Sequence, residues 1–296
     1  MTRLYVLLAI LLAAAAAPAS AQSGDRAAID RAIAAVYPSL VRISVVVADY
    51  RDGREINLEG SGSGTIISAD GFVVTNHHVA GRARRIICTL ADRQEIPADL
   101  IGTDPLTDIT VLKLRPSSPR TFPVARFGDS SKLRRGDAVL AMGSPLALSQ
   151  SVTVGVASNT EMTMPGGRSG LDLDGEDVGS IVRWIGHDAA IYPGNSGGPL
   201  VNLTGEIIGV NEISLGLGGA IPGNLAKQVA DAIIRDGRVR RSWIGFEIQP
   251  RIKDRPTAVQ PSSGALISWV ASGSTTRRST SSSASRCRSR TSCSWG

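Results

Sequence analysis

The sequence predicts an all-β fold, and three observations carry that reading. Short apolar runs recur at residues 40–47, 65–68, 72–75, 86–90, 98–102, 109–114, 136–142, 152–158, 181–184, 199–202 and 207–211. Turns bearing Gly and Asp separate them, among them Asp52-Gly53 and Asp70-Gly71, the pairs that tight hairpin turns favour. No regular alternation of strand-like and helical stretches is present, which argues against a parallel sheet with crossover helices and for a sandwich or barrel.

Composition agrees with this. A chain of 296 residues, 42% hydrophobic and with 32 glycines, suits one large domain or two ordinary ones. The formal net charge of +6 invites a nucleic-acid reading. Arg3 and five arginines in residues 273–296 account for all of that excess, so the main body is neutral and no nucleic-acid partner is expected. Three cysteines, Cys88, Cys287 and Cys293, make no disulfide framework. Cys88 stands alone in an apolar run and reads as a small buried hydrophobe. Its spacing from the histidines suggests no metal site.

In chain order, residues 1–21 read as a secretory signal peptide. Arg3 supplies the positive start, residues 4–17 the apolar stretch and Ala19-Ser20-Ala21 the small-residue cleavage site. The apolar stretch is shorter than the ~20 residues a membrane span needs. Cleavage before Gln22 and export are expected, and no other segment could span a membrane. Apolar residues at 28, 29, 32, 33 and 36 have helical spacing, so residues 22–35 form an arm or short helix that Pro38 ends. A strand follows at 40–47, and residues 48–59 read as a short connection. The run Gly60-Ser61-Gly62-Ser63-Gly64 precedes strands instead of opening a helix, which removes a phosphate-loop reading. The hairpin of 65–68 and 72–75 then delivers Asn76-His77-His78-Val79 at a strand end. A second strand series begins at 136. Residues 159–180, rich in Gly, Asp and Met, read as a long loop of the kind that is functional or disordered. Residues 225–236 read as a helix closed by Gly237.

Chemistry concentrates at Gly194-Asn195-Ser196-Gly197-Gly198-Pro199-Leu200. A serine between glycines suits a nucleophile on a tight turn, where a substrate carbonyl must approach the main chain. The pattern also fits a plain turn, or the nucleophile elbow of α/β-hydrolases. That elbow needs its histidine after the serine, whereas His77, His78 and His187 all precede Ser196. The order His–Asp–Ser remains open.

Three segments carry a resemblance to a known family. Thr75-Asn76-His77-His78-Val79, Thr107-Asp108-Ile109-Thr110-Val111-Leu112-Lys113-Leu114, and Asp188-Ala189-Ala190-Ile191-Tyr192-Pro193 leading into the serine motif resemble the HtrA (Deg) family. These are secreted chymotrypsin-like serine proteases with C-terminal PDZ domains, and the resemblance covers residues 36–270. It implies two six-stranded antiparallel β-barrels in a protease domain at 36–238, followed by the start of a PDZ domain. His78 and Asp108 would come from the first barrel and Ser196 from the second. The roles implied are His78 as base, Asp108 as acid (Asp104 being the alternative) and Ser196 as nucleophile. The backbone N–H groups of Gly194 and Ser196 would bind the oxyanion, with Asn195 part of the same turn. A specificity pocket would be lined by Ile191, Tyr192, Ile213, Leu215 and Gly219, uncharged except for Glu212 beside it. A small aliphatic residue before the cleaved bond is therefore expected. Arg168, within Gly167-Arg168-Ser169-Gly170, would be a regulatory sensor of PDZ occupancy. No metal or organic cofactor is required. Substrates would be unfolded or misfolded proteins in the periplasm, and assembly a homotrimer. Two departures stand out: Gly219 replaces the usual aromatic, and His187 the usual threonine.

The segment Arg241-Ser242-Trp243-Ile244-Gly245-Phe246 resembles the entry of a PDZ domain, which binds peptide C-termini, and residues 239–273 would be a partial one. Residues 274–296, with nine serines and five arginines in the last 24 positions, cannot bury a core and read as a disordered tail or a shifted reading frame. A peptide-binding or chaperone-like module with a resting protease domain is the competing function.

Overall fold

The computed structural model describes residues 20–144, 151–163, 171–173, 176–214, 216–241, 246–249 and 266–270. Described residues up to Val239 belong to one compact unit and those from Arg240 to a second. Helix α1 (Ser20–Val36) starts before the apolar spacing does, and a single 3-10 turn at Tyr37–Ser39 carries Pro38 where a missing N–H costs nothing. The helix is docked: Ala32 and Val36 are buried together with Leu40, Leu140, Met142, Val201 and Ile207.

The first barrel is built from β1 (Leu40–Arg51), β2 (Arg54–Ile66), β3 (Phe72–Asn76), β4 (Arg85–Thr89), β5 (Glu95–Asp104) and β6 (Ile109–Leu114). It closes in the order β1-β2-β3-β6-β5-β4, with β4 returning to β1. Val41, Ile43 and Val45 of β1 are buried, and Arg42, Ser44 and Val46 between them are not, the period-two pattern of a strand with one face in a core. Residues 48–59 are not the short connection the sequence predicts. They are the outer arms of a long hairpin paired down to Arg51 opposite Arg54. Asp52 and Gly53 alone form the turn, at φ 52° and 74°, the doubly positive geometry that matches strand twist. The arms are polar and exposed, so no buried face marked them as strands. The glycine run at 60–64 lies inside β2.

The second barrel comprises β8 (Ala138–Gly143), β9 (Ser151–Met162), β12 (Trp184–His187), β13 (Pro199–Asn202), β14 (Glu206–Ser214) and β15 (Gly218–Pro222). The order is β13-β8-β9-β12-β15-β14, closed by β13 on β14, and the short β7 (Arg126–Phe127) adds to β14 in parallel. Its core includes Val139, Ala141, Ile185, Leu200, Ile208 and Ala220. Two expectations need correction. The strand placed at 181–184 is Trp184–His187, because Ile181 sits half exposed in the preceding turn. The stretch 159–180 is not all loop, since β9 runs to Met162 and β10 (Leu171–Leu173) pairs with β11 (Glu176–Val178) as a hairpin. The first error has a physical cause: β12 is buried at all four positions, so no alternation marks where it begins.

A one-turn helix, α2 (His77–Ala80), follows β3. Helix α3 (Gly223–Asp236) leaves the second barrel and packs on β14 and on β5 and β6 of the first. Its buried stripe is Ala226, Val229, Ala230 and Ile233, and Gly237 at φ 71° closes it by donating its N–H to the Ile233 carbonyl. Cys88 is buried and free, and burial pushes its thiol up to about 12, as a small hydrophobe requires. In the second unit, β16 (Phe246–Gln249) pairs antiparallel with β17 (Leu266–Val270). Arg168, Leu215, residues 242–245, residues 1–19 and the tail from 271 lie outside the described residues. Among the described residues no helix is long and apolar enough to cross a membrane.

Burial should outweigh capping in α3. Ile233→Ala, at a fully buried position, is expected to cost about 2–5 kcal/mol, against about 1 kcal/mol for Gly237→Ala. Urea denaturation of the two variants checks the ranking.

Candidate active site

Antiparallel pairing of β3 with β6 sets Asn76 opposite Ile109. The residues just beyond that pair, His78 on α2 and Asp108 before β6, therefore meet. Asp108 is fully buried and sits at φ 54°, a left-handed conformation that Asp tolerates better than most residues. It follows a 3-10 turn at Pro105–Thr107 that it caps. Its backbone carbonyl accepts the His77 N–H at 3.0 Å and the Asn76 side-chain amide at 3.0 Å. Its carboxylate accepts the His78 N–H at 2.9 Å through Oδ1 and faces His78 Nδ1 at 2.7 Å through Oδ2. With Oδ2 as acceptor, Nδ1 carries the proton and Nε2 is left as an acceptor, on a side chain 20% exposed. Asp104, the alternative acid, instead accepts the Thr107 hydroxyl within its own turn.

Ser196 lies in the turn that enters β13, and the sequence explains its shape. Pro193 fixes one turn position and Gly194, at φ 101°, takes the next, which is the pairing a type II turn requires. The Asn195 N–H closes that turn on the Tyr192 carbonyl at 2.9 Å. The Asn195 amide, expected as part of the same turn, is thus committed to closing it. Among the described residues, no hydrogen bond engages the N–H of Gly194 or of Ser196.

Ser63 of β2 ties this turn to the first barrel, and no sequence pattern marks it. Its N–H donates to the Ser196 carbonyl at 2.8 Å, and its hydroxyl donates to the Gly194 carbonyl at 2.6 Å and accepts the Ser144 N–H at 2.8 Å. Approach is close enough that a Cβ on Gly197 would come within 2.2 Å of the Ser63 carbonyl oxygen. Asn211 of β14 holds the other side, with Gly197 donating to its carbonyl and its own N–H bonding the Gly198 carbonyl, each at 2.8 Å. The Ser196 hydroxyl donates to the Glu212 carbonyl at 3.1 Å. Among the described residues no hydrogen bond joins it to His78.

His77 does different work from its neighbour. Its Nδ1 meets the Thr103 hydroxyl at 2.7 Å and its Nε2 the Glu176 carboxylate at 3.1 Å. Arg82 bonds the same Glu176 oxygen at 2.8 Å and holds that carboxyl below its usual range, with the His77 charge helping. The β10–β11 hairpin is thus anchored beside the helix that carries His78.

Of the expected pocket residues, Tyr192 is 53% exposed, Ile191 is half-buried and Gly219 is buried, pairing with Gly186 in β12. The backbone of Ile213 pairs with Gly219. His187 is fully buried against Gly218, where a Cβ would come within 2.4 Å of its ring. Neither of its ring nitrogens has a hydrogen bond among the described residues. Burial pushes it down to about 4, against weaker opposing pulls from the Ala189 backbone and the Asp188 charge.

The chain was compared with known proteins. The family described as trypsin-like peptidase domain matches residues 62–210. A protein of Pseudomonas putida (strain GB-1) named probable periplasmic serine endoprotease DegP-like is 40% identical over 229 residues, covering 74% of this chain and 45% of that protein. A protein of the same name from Chlamydia trachomatis serovar D is 42% identical over 223 residues, covering 72% and 42%. The chain therefore spans less than half the length of these relatives. Among solved structures, the HtrA-type protease AlgW with tripeptide superposes with a TM-score of 0.64 at 33% identity, covering 82% of this chain and 76% of that one. The same protease with decapeptide gives 0.63 at 32%, covering 84% and 81%.

His187 makes a specific pH prediction. Its folded-state value lies below the ordinary 6.5, so the unfolded chain binds the extra proton. Its contribution is complete above pH 6.5 and is lost as pH falls towards 4, about 3 kcal/mol in all. Urea midpoints of wild type and His187→Gln should diverge over that window, the wild type falling further; parallel curves would contradict it.

Proposed function

The chain belongs to the trypsin-like peptidases of the HtrA type, and on that premise we propose that it is a serine endopeptidase whose chemistry is carried by Ser196, His78 and Asp108. The observation that carries the reading is the pair of hydrogen bonds between His78 and Asp108, at 2.9 and 2.7 Å. It fixes the imidazole with Nε2 as acceptor, the tautomer a general base needs. In the reaction the Ser196 oxygen attacks a peptide carbonyl while its proton passes to His78 Nε2. Asp108 stabilises the imidazolium without taking the proton. The oxyanion is received by the N–H groups of Gly194 and Ser196. His78 then protonates the leaving amine, and water attacks the acyl-enzyme by the same route. Before attack, the hydroxyl must leave the Glu212 carbonyl. That exchanges one neutral hydrogen bond for another, ~1 kcal/mol, which is small beside a chemical barrier.

Ile191, Tyr192, Ile213, Leu215 and Gly219 are proposed to line the pocket for the residue before the cleaved bond. Their apolar character favours a small aliphatic side chain there. Substrates would be unfolded or misfolded exported proteins. The proposed setting is the periplasm, reached by cleavage of residues 1–21, and relatives named periplasmic support it. Residues 36–238 would form the protease domain and 239–273 the start of a PDZ domain for peptide C-termini, with Arg168 relaying its occupancy. Loss of peptide stimulation in Arg168→Ala would test that relay. Trimeric assembly completes the proposal, and light scattering of the mature chain tests it.

A second reading has one observation in its favour: the Ser196 hydroxyl is bonded to Glu212 rather than to His78, as in a resting enzyme that binds unfolded chains without cutting them. Casein hydrolysis separates the two. Wild type should hydrolyse it, Ser196→Ala should not, and Asp108→Asn should fall by ~10³–10⁴. Wild type that suppresses aggregation but leaves casein intact supports the resting module.

A further inference from the structure

Glu212 is a buried carboxyl that the reaction above does not use. It lies on β14, 4% exposed, and its backbone carbonyl holds the Ser196 hydroxyl at 3.1 Å. One side-chain oxygen accepts the indole N–H of Trp184, itself fully buried on β12. The other lies against Gly179, where a Cβ would come within 2.7 Å of it, and has no donor among the described residues. Gly179 and Asp108 both donate their N–H to the Pro105 carbonyl, at 2.8 and 3.0 Å, so the oxygen that lies against Gly179 is set beside Asp108.

Two carboxyls in contact inside a protein do not both stay ionised; they share a proton. The available donors decide which one holds it. Asp108 receives two N–H groups from His78, which favour its charged form. Glu212 receives one, from Trp184. Burial first, then the Asp108 charge beside it, pushes Glu212 well above the usual carboxylate range, against the Trp184 bond, and a hydrogen bond between the two carboxyls acts in the same direction. Asp108 is the charged group acting on it, and His78 lies on the far side of that aspartate.

We propose that Glu212 is a positioning residue: it is present as a neutral carboxylic acid and donates its O–H to the Asp108 carboxylate. Asp108 is then held by three donors, two from His78 and one from the opposite barrel. That third donor fixes the rotation of the carboxylate and so the aim of the His78 ring. Trp184 orients the acid by occupying its carbonyl oxygen, which leaves the hydroxyl for Asp108. The same residue thus sets two members of the proposed triad, Ser196 through its backbone and Asp108 through its side chain. The role rests on the serine endopeptidase reading, but its protonation state can be measured without any activity.

Infrared difference spectroscopy at neutral pH between folded wild type and Glu212→Gln tests the protonation. Wild type should show a protonated-carboxyl C=O stretch that the glutamine variant lacks. A carboxylate band lost in its place would mean an ionised Glu212 and overturn the proposal, whatever the enzyme cleaves. For positioning, Glu212→Leu should lose ~10- to 100-fold in kcat with little change in KM, the value of one donor to a charged group. Glu212→Gln, which keeps an N–H for Asp108 and an oxygen for Trp184, should recover most of that loss. Equal kcat in the two variants would overturn positioning. If the leucine variant does not fold, the infrared comparison and the kcat of Glu212→Gln against wild type decide: a glutamine variant tenfold or more below wild type overturns it.

Discussion

The pairing of β3 with β6 places the chemistry. With Asn76 set opposite Ile109, the chain leaves β3 through the one-turn helix of His78 as it enters β6 through the left-handed Asp108. Moving that register by one residue would turn every side chain of β3 to the other face and separate His78 from Asp108. Val73, Val74, Val111 and Leu112 are buried along the same pair of strands, so the hydrophobic pattern that closes the barrel also fixes the contact of His78 with Asp108.

Hydrogen bonds from both barrels hold the turn that carries Ser196. Ser63 satisfies the carbonyls of both Gly194 and Ser196, while Asn211 secures Gly197 and Gly198 from the other side. Buried polar groups of this kind gain little net stability when paired, and cost more when one partner is removed. Their value is geometric. Glu212 extends the pattern, because it contacts the serine hydroxyl with its main chain and the aspartate with its side chain.

How much of this was legible in sequence follows from the range of each signal. His78, Asp108 and Ser196 stood out because each sits in a short segment whose neighbours carry its context. The turn at 194 could be read from Pro-Gly alone. Ser63, Glu176 and Glu212 could not be read, because their partners lie far away in sequence and meet them only after the strands pair. Glu212 was visible as an odd charge beside an apolar pocket, yet nothing local told whether it was ionised or whom it faced. Strand ends failed for a different reason. The arms at 48–59 are largely exposed, and the hairpin at 171–178 pairs two strands of three residues each, too short for hydrophobic alternation to show.

Mass spectrometry of the folded protein after reaction with a fluorophosphonate tests the nucleophile most directly. A single adduct on the peptide containing Ser196, absent when His78 is replaced by alanine, is the expected result. Absence of any adduct on folded protein, or an adduct on another residue that survives Ser196→Ala, would contradict the assignment of Ser196 and His78.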